Sequence, residues 1–426
     1  MHSKRKLIKD QIDKLIQHLQ PLLPLANCHM VDYFTKDIYK RNIPIKIQQE
    51  IKEIGEENVT NCILNNDYQQ LPNLFEYFEK SKQFTLKFCP DICMQTEAFQ
   101  DKLKELGCEE FLRMKLNIFM TSKKSHEVDI LSFIAAAVKN ISNTTHLIDI
   151  GDGKGYLSSM LALRHKIPVL GVDACAIKTN SAVQRVQKLS KIWKNLTTGN
   201  KSEDTNAGLY KQVTQFVDEK IDFSKLVSDV FLEKANGLGV VGLHTCGNLA
   251  SSSIRIFNAN HDIRTICNVG CCYNHIDEVF EEDPSISSKK GLLRNGFPMS
   301  IHLKDKKFVI GRPARMVAAQ SVDRILEKKQ LPNKTIFYRA LFEVLLENRG
   351  SSLPGRRNVG RFRKGCSDFN DYVRQASKRL NVQLDISDGE IKKVYEDYKW
   401  RINELNNFLL DKEYVGTCYR EFDSDG

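Results

Sequence analysis

The chain has 426 residues, of which 41% are hydrophobic, and it carries a net charge of +10 at pH 7. This length allows roughly two or three domains, and the apolar fraction supports a folded core, which excludes a disordered chain. The positive charge mildly favours polyanionic partners. No apolar run approaches the ~18 residues of a membrane span, and charged residues interrupt the first apolar stretch, so we expect neither a membrane anchor nor a secretory signal. The twelve cysteines are then expected to be reduced thiols of a soluble cytoplasmic or nuclear protein.

The N-terminal segment, residues 1–115, is predicted to be helical and lacks a glycine-rich loop. Apolar residues recur at spacings of three and four between Leu7 and Leu19, the pattern of one face of an amphipathic helix. Pro21 and Pro24 should end that helix, because proline cannot donate a helical hydrogen bond. Further helices are expected over residues 45–54 and 97–106. A helical packing domain is the simplest interpretation.

Strands and helices alternate in the middle segment, residues 116–348, as in a parallel sheet covered by helices on both faces. Ser125 is predicted to cap the helix that leads into the first strand. The strands are predicted at residues 146–150, 168–172, 212–217, 239–244 and 263–269. Helices are predicted at residues 176–193, 314–329 and 334–348, and irregular stretches at 195–207 and 274–300. We therefore predict an α/β, Rossmann-like fold for this segment.

The C-terminal segment, residues 349–426, combines a basic loop with predicted helices. From Arg349 to Arg379, nine lysines and arginines are offset by two aspartates, so the net charge is 9 − 2 = +7. The side chains that could contact RNA phosphates are Arg356, Arg357, Arg361, Arg363 and Lys364, with Phe362 among them as a stacking platform. A solvated basic loop explains the same pattern equally well.

A glycine-rich turn after the first predicted strand is the clearest functional motif. Asp149 lies in the strand and is followed by Gly151, Gly153 and Gly155, which let the backbone bring N–H groups close to a ligand at a helix N-terminus. Asp173 closes the second predicted strand, 24 residues after Asp149, where an acid can accept both ribose hydroxyls. These residues predict a nucleotide-type ligand at the carboxyl ends of the strands.

The position of Asp149 narrows the class of ligand. Dinucleotide-binding folds place a diphosphate at this turn, and a carboxylate two residues before the first glycine would repel it. The same carboxylate suits a ligand with an ammonium group, such as the amino-acid part of S-adenosylmethionine. Asp218 closes the third predicted strand, where such folds often hold the adenine amino group, although a solvated strand end fits Asp218 equally well.

Motifs along most of the chain are shared with one known family. They are Asp-Ile-Gly-Asp-Gly-Lys-Gly-Tyr-Leu-Ser at 149–158, Asn-Cys-His-Met-Val-Asp-Tyr-Phe at 27–34, Met-Thr-Ser-Lys-Lys-Ser-His-Glu-Val at 120–128, Gly-Leu-His-Thr-Cys-Gly-Asn-Leu-Ala at 242–250, Val-Gly-Cys-Cys-Tyr at 269–273, Gly-Phe-Pro-Met at 296–299 and Ala-Arg-Met at 314–316. In these stretches the chain resembles the methyltransferase-like protein 25 family, with the related ribosomal RNA adenine dimethylase domain-containing proteins. The resemblance implies a Rossmann-like S-adenosylmethionine methyltransferase sheet with helical N-terminal and C-terminal additions.

The resemblance also bears on individual residues and on the tail. It suggests that Lys123 and His126, before the first strand, help to hold the carboxylate of the cofactor, with a solvated helix start as the alternative. Family members continue with an apolar segment that looks like the last strands of the sheet, whereas residues 418–426 do not match that segment. We therefore expect either a shortened form or a sheet that closes differently.

The methyl acceptor should lie near the loop after the fourth predicted strand, which faces the methyl group in this architecture. His244, Thr245, Cys246 and Asn248 are in this loop, and His244 would be the general base if the acceptor carries a proton. Base methylases that act on amino groups have an Asn/Asp-Pro-Pro-Tyr type of motif here, and this sequence lacks it.

Cysteines at the ends of the fourth and fifth predicted strands allow two further interpretations. Cys246, Cys271 or Cys272, the last followed by Tyr273, could supply a thiolate for cytosine C5 methylation, but the usual Pro-Cys is missing and buried structural thiols are commoner. A zinc site is not predicted, because paired Cys-x₂-Cys spacings are missing and neighbours on a strand point to opposite faces.

The sequence thus predicts S-adenosylmethionine-dependent methyl transfer, with RNA preferred as the acceptor and a protein side chain next. A catalytically silent protein of the same fold, which acts as a scaffold or binding protein, is the alternative. Nothing in the sequence predicts the oligomeric state.

Overall fold

The computed structural model describes residues 2–85, 88–89, 92–108, 120–196, 206–280, 296–319, 334–350, 359–360, 362 and 365–417. The chain divides into two compact units, the first formed by Met1–Cys93 with Ile310–Phe422 and the second by Met94–Val309. This division differs from the three consecutive segments (1–115, 116–348 and 349–426) predicted from the sequence. The reason is that helices from both ends of the chain share one core, which no local pattern reveals.

The described helices and strands are numbered here in chain order. The α-helices are α1 (His2–Leu19), α2 (Leu23–Asn27), α3 (Ile38–Asn42), α4 (Ile45–Ile54), α5 (Glu56–Asn65), α6 (Pro72–Lys82), α7 (Thr96–Glu105), α8 (Ser122–Ile141), α9 (Tyr156–Leu163), α10 (Ala176–Leu196), α11 (Phe223–Phe231), α12 (Asn248–Ala259), α13 (Ile301–Asp305), α14 (Arg312–Ala318), α15 (Lys334–Asn348), α16 (Phe369–Leu380), α17 (Asp388–Tyr398) and α18 (Ile402–Thr417). The strands are β1 (His146–Ile150), β2 (Val169–Asp173), β3 (Tyr210–Thr214), β4 (Leu238–Leu243) and β5 (Ile263–Val269).

The first unit is helical and closes around a core built from both ends of the chain. Tyr33 packs against Phe408 with ring centroids 5.3 Å apart, and Phe34 against Phe337 at 5.7 Å. Tyr33, Phe337 and Phe408 are almost completely buried. The N-terminal helices and helices α15 to α18 therefore stabilise each other through one continuous apolar cluster.

The basic loop of this unit is described only in part. Arg356, Arg357, Arg361, Arg363 and Lys364 lie outside the described residues, so RNA contact through them stays a prediction. Phe362 is 8% exposed, and its ring packs edge-on against Tyr372. The guanidinium of Arg379 lies 4.6 Å from the centroid of the same ring. The prediction that Phe362 is a stacking platform is wrong, because the ring faces the core of the unit.

The second unit contains a parallel five-stranded sheet in the order β3-β2-β1-β4-β5, which confirms the predicted Rossmann-like α/β class. Ile148 and Ile150 pack with α11 and α12 on one face, and Leu147 packs with α8 and α9 on the other. Helices therefore cover both faces of the sheet. Asp149 shares the face of Leu147, because alternate side chains of a strand point the same way, and its carboxyl thus points toward α9.

Most predicted elements are present with small shifts in their bounds. Strands β1 and β5 and helices α4 and α15 have the predicted bounds, whereas β3 begins and ends earlier than predicted. Thr121, not Ser125, caps α8, since the Thr121 side chain accepts from the N–H of Lys124. Helix α1 ends at Leu19, as expected. Of the stretches predicted at 195–207, 274–300 and 314–329, residues 197–205, 281–295 and 320–329 lie outside the described residues.

In the part of the chain that the structure describes, no helix combines the length and the hydropathy that a membrane crossing requires.

Candidate functional site

A cavity of about 300 Å³ opens at the carboxyl ends of β1 and β4. The strand order reverses here, because β1 pairs with β2 on one side and with β4 on the other. Ligands of open α/β sheets bind at such a reversal point. The glycine turn, three lysines and the end of β4 form the wall, which comprises Lys124, Asp149, Gly151, Asp152, Gly153, Lys154, Tyr156, Leu157, Lys178, Leu243 and His244.

The glycine turn has the backbone that the sequence predicted. Gly151, Gly153 and Gly155 have φ values of 78°, 62° and 70°, a region that side chains with a Cβ rarely adopt. Gly155 is also the N-cap of α9. A Cβ on Gly155 would lie 2.7 Å from the hydroxyl of Tyr210, so this position also lacks room for a side chain.

A buried polar network lies beneath the turn. Oγ of Ser158 is 2.8 Å from Oδ2 of Asp149 and 2.7 Å from Oδ1 of Asp152. The other oxygen of Asp152 accepts from the hydroxyl of Tyr210 and, at 2.7 Å, from Nε2 of Gln212. Asp149 is 2% exposed and Asp152 is 9% exposed, so the two acids lie together in a site that is almost inaccessible to solvent.

These two acids hold their protons differently. Burial raises the pKa of Asp149 well above its usual value, and the charge of Asp152 raises it further. Burial also raises the pKa of Asp152, but the hydroxyls of Tyr210 and Ser158 oppose that shift by donating to its carboxylate. Of the two acids, Asp149 is therefore the one that holds a proton more readily and Asp152 the one that carries charge more readily. A cationic group placed beside Asp149 would displace that proton.

Gly171 of β2 makes room for this network. A Cβ at this position would lie 2.7 Å from Cγ of Asp152 and 2.9 Å from the ring of Tyr210. Sequence reasoning missed Asp152, Tyr210 and Gly171 as parts of the site. The available signal was a glycine inside an apolar strand, which often marks a close approach of another group.

Asp173 ends β2 and faces the glycine turn, as predicted. Its Oδ2 accepts from the N–H of Gly153 at 3.1 Å, and its Oδ1 accepts from the N–H of Cys175 at 2.8 Å. Nζ of Lys178 lies 3.8 Å from Oδ2. Because each carboxylate oxygen can accept a second hydrogen bond, Asp173 retains acceptor capacity for ribose hydroxyls.

Lys123 and His126 lie in the first two turns of α8 but not in the cavity wall. The side chain of Lys123 is 74% exposed and lies 3.5 Å from Oε1 of Glu127. Lys124 lines the cavity instead, with Nζ 4.2 Å from the ring centroid of Tyr156. One residue along a helix turns the side chain by about 100°, which decides between these neighbouring lysines.

Asp218 does not close the third strand. Strand β3 ends at Thr214, and Asp218 lies four residues further in a turn, where its Oδ1 accepts from the N–H of Lys220 at 2.9 Å. The polar alternation of residues 212–217 was interpreted as strand beyond its true end. Asp218 is outside the cavity wall, and its contact with an adenine amino group stays a prediction.

His244 follows β4 directly and lines the cavity. Its φ is 63°, a left-handed conformation that is uncommon for a residue other than glycine and is found at functional sites. Nε2 lies 3.1 Å from Oε2 of Glu127 on α8. Because a carboxylate can only accept, the neutral imidazole carries its hydrogen on Nε2 and keeps a lone pair on Nδ1.

Thr245 and Asn248 connect loops instead of facing the cavity. The N–H and the hydroxyl of Thr245 both donate to the carbonyl of Val269, at 3.1 and 3.2 Å. Asn248 donates to the carboxylate of Asp277 at 2.7 Å and accepts from the N–H of Asp277 at 2.9 Å. Both polar ends of Asn248 thus hold the loop after β5, which departs from the predicted contact with an acceptor.

Cys246, Cys271 and Cys272 lie together, contrary to the expectation that neighbouring cysteines point apart. Their sulfurs are 2.9, 3.4 and 3.5 Å from one another. The argument from strand alternation fails because β5 ends at Val269, and both later cysteines lie beyond the strand. Burial and the neighbouring thiols raise the pKa of Cys271, which disfavours a free nucleophilic thiolate.

Tyr273 was predicted to face the acceptor together with these cysteines. It begins a short 3₁₀ helix, Tyr273–His275, next to the thiol cluster and is not in the cavity wall.

The residues of the cavity fit the cofactor that the fold implies. Gly151 and Gly153 bring the backbone of the turn to the cavity wall, and Asp149 can ionise toward an ammonium group. The N–H groups of the three glycines are bonded within the protein, to the carbonyl of Val172, Oδ2 of Asp173 and the carbonyl of Asp152. Asp173 is bonded to the N–H of Gly153 in the turn and is not itself in the cavity wall. Lys124 is a cation at the mouth near α8, where the carboxylate of an amino-acid moiety could bind.

Comparison with known proteins agrees with this architecture. Residues 123–279 match the family described as a methyltransferase domain. The chain is 23% identical to "Probable methyltransferase-like protein 25" of Mus musculus over 96% of this chain and 89% of that protein. It is 24% identical to the Homo sapiens protein of the same name, over 96% of this chain and 90% of that protein. The chain is therefore similar to a methyltransferase domain over residues 123–279 and, along nearly its whole length, to methyltransferase-like protein 25, which confirms the resemblance seen in its motifs.

Proposed function

We propose that this chain is a methyltransferase that uses S-adenosylmethionine and binds it in the cavity at the carboxyl ends of β1 and β4. The observation that supports this most strongly is the combination, in one wall, of the glycine turn with the buried acid Asp149. A diphosphate would meet the charge of Asp152 and the acid Asp149 directly below the turn. An ammonium group would instead meet a carboxyl that gains a favourable charge by ionising.

The glycine turn, Asp149, Asp173 and His244 have separate tasks in this proposal. The glycine turn lets the methionine portion approach closely, Asp149 pairs with its ammonium group, and Asp173 accepts from the ribose. When bound, the cofactor supplies an electrophilic methyl carbon next to a sulfonium. The protein then has to position and desolvate the acceptor, since in-line displacement depends mainly on alignment. If the acceptor atom carries a proton, Nδ1 of His244 accepts it.

Binding of the cofactor tests the proposal directly. Titration calorimetry with S-adenosylmethionine should show one site in the wild-type chain. Asp149→Asn keeps the size of the side chain but cannot ionise, so affinity should fall about tenfold or more, the weight of a hydrogen bond to a charged group. Asp229→Asn, an exposed change on α11, is the matched control and should leave affinity unchanged. Absence of binding by the wild-type chain contradicts the proposal.

RNA is the acceptor that we propose first, with a protein side chain next. The net charge of +10 favours a polyanionic substrate. Transfer of radiolabelled methyl groups to total cellular RNA and to total protein, each with nuclease and protease controls, separates the two. Label that survives nuclease but not protease would replace RNA by protein.

A catalytically silent scaffold of the same fold is the second candidate. The observation that favours it is that Thr245 and Asn248 are bonded to neighbouring loops, which leaves His244 as the main polar side chain of the β4 loop in the described wall. Cofactor binding without any transfer to RNA or protein supports the scaffold.

A further inference from the structure

We infer that Cys246, Cys271 and Cys272 form a zinc site with three thiolate ligands and a fourth position open to solvent. The three sulfurs form a closed triangle in which each pair is 2.9 to 3.5 Å apart. Among the described residues, no other group of three or more histidine, cysteine or carboxylate side chains has all its ligand atoms within 4.8 Å of one another. The inference does not depend on the proposed function, because metal content is measured without methyl transfer.

The donor chemistry selects the metal. Thiolate sulfur is a soft ligand that favours zinc or monovalent copper over magnesium, calcium or manganese. In a tetrahedral zinc site with Zn–S bonds of about 2.3 Å, neighbouring sulfurs are about 3.8 Å apart. The observed triangle is smaller by less than about 1 Å, which small rotations of three side chains can supply. Three protein ligands with one open position are typical of reactive zinc sites, whereas structural sites usually have four.

The backbone around the cluster is fixed from both sides. Cys246 follows β4, and Cys271 and Cys272 follow β5, and these two strands are paired up to Leu243 and Val269. Thr245, which precedes Cys246, donates twice to the carbonyl of Val269. These strand pairings and hydrogen bonds bring the two loops together, as a preorganised ligand set requires.

A second clamp lies on the other side of Cys246. Gly247 has φ 59°, and a Cβ there would lie 2.6 Å from the carbonyl oxygen of His275. Asn248 then binds Asp277 through two hydrogen bonds. These contacts explain the roles of Thr245, Gly247 and Asn248, which keep the cysteine loops in register and do not contact an acceptor.

The open position points outward. Cys246 is exposed, and Cys271 and Cys272 are half-buried. His275 is near in the backbone, but its ring nitrogens are not within the cluster. His244, two residues before Cys246, lines the cavity, so a metal here would lie beside the proposed acceptor side.

A disulfide is the competing use of these thiols. A disulfide would join two of the thiols and leave the third without a role, because two cysteines are sufficient to form it. Three converging thiols match the number of ligands that an open zinc site needs.

The decisive measurement is the metal content of the full-length chain, expressed with added zinc, freed of affinity tags and purified with a non-chelating reductant. Plasma mass spectrometry should find about one zinc per chain, as three ligands around one ion imply. Cys246→Ser, Cys271→Ser and Cys272→Ser should each lower zinc to near zero. Cys267→Ser, a change on β5 outside the triangle, is the matched control and should retain zinc.

Further readouts use the unaltered protein and do not depend on how the variants fold. Cobalt substitution should produce thiolate-to-metal charge-transfer absorption. Bound zinc should protect Cys246, Cys271 and Cys272 from alkylation, and a chelator should remove the protection, as peptide mass spectrometry can show.

His275→Ala should retain zinc. Loss of zinc in this variant would show a closed site and contradict the open position.

Three results would overturn the inference. They are a folded wild-type chain without zinc, stoichiometric copper in place of zinc, and a Cys246–Cys271 disulfide in protein that was purified with zinc and reductant.

Discussion

Nε2 of His244 lies 3.1 Å from Oε2 of Glu127, which connects the first residue after β4 to the second turn of α8. The two residues are far apart in the sequence. Glu127 lies on the helix that precedes β1, and His244 follows β4 at the sheet edge where the cavity opens. The carboxylate fixes the hydrogen of the neutral ring on Nε2 and leaves Nδ1 as the acceptor. Among the described residues of the wall, His244, held by Glu127, is therefore the side chain best suited to remove a proton.

Glu127→Gln should lower methyl transfer without changing cofactor affinity. A glutamine amide can donate to Nε2 and would stabilise the tautomer whose Nδ1 carries the hydrogen, so Nδ1 could no longer act as a base. We expect kcat to fall about 10²-fold, at the lower end of the range for general-base catalysis. Steady-state rates with the identified acceptor, together with their pH profile, provide the measurement. An unchanged kcat and pH profile, with Asp229→Asn as the control, would show that the pair is only structural.

Cofactor affinity should increase with pH because Asp149 must lose its proton. Its pKa is raised by burial and by Asp152, so at low pH the neutral form predominates and proton release opposes binding of an ammonium group. As pH rises through this raised pKa, the opposition disappears and affinity levels off. Calorimetry in buffers of different ionisation enthalpy should detect proton release on binding. Asp149→Asn should abolish both the release and the pH dependence; a slope that persists in this variant would assign it to another group.

Gly171→Ala should destabilise the second unit. The new Cβ would lie 2.7 Å from Cγ of Asp152 and 2.9 Å from the ring of Tyr210, so the buried network must shift. Overpacking of this kind costs about 1–3 kcal/mol. Urea unfolding followed by the fluorescence of Trp193, in a Trp400→Phe background, reports on this unit. Gly208→Ala is the matched control, because nothing lies within 4 Å of the added carbon, and equal effects of both changes would contradict the prediction.

Asp411 should make the first unit less stable as pH rises. It is fully buried, burial raises its pKa to about 8, and neither carboxyl oxygen has a hydrogen-bond partner among the described residues. Between the pKa of the unfolded chain, about 4, and the folded pKa, the folded state retains a proton that the unfolded state has lost. Stability therefore falls with pH in this window, by up to about 1.4 kcal/mol per unit, and becomes constant above it.

Hydrogen exchange of peptides from α18 at pH 6 and pH 9 measures this effect after correction for the intrinsic exchange rate. Asp411→Asn should remove the decrease and protect α18 better than the wild type at pH 9. Glu343→Gln on α15 is a control for loss of a partly exposed acid, and in this variant the stability of α18 should fall with pH as in the wild type. The same slope in Asp411→Asn as in the wild type would refute the assignment.

The fold class and the edge of the sheet at which the cavity opens were predictable from the sequence. Local patterns determine them: an apolar strand, three glycines that need positive φ, and a carboxylate in a place that disfavours a diphosphate. These patterns predicted β1 and β5 with their observed bounds and brought Asp149, Gly151 and His244 into one cavity.

The tertiary structure decided what depends on packing between distant segments. It joined the N-terminal and C-terminal helices in one core, because apolar faces find partners irrespective of chain distance. It selected Lys124 over Lys123 by helical rotation and paired His244 with Glu127. It also ended β5 at Val269, which freed Cys271 and Cys272 from strand alternation and let both meet Cys246. Local periodicity determines the side chain's face within an element, whereas only the meeting of loops from different strands determines a cluster of ligands.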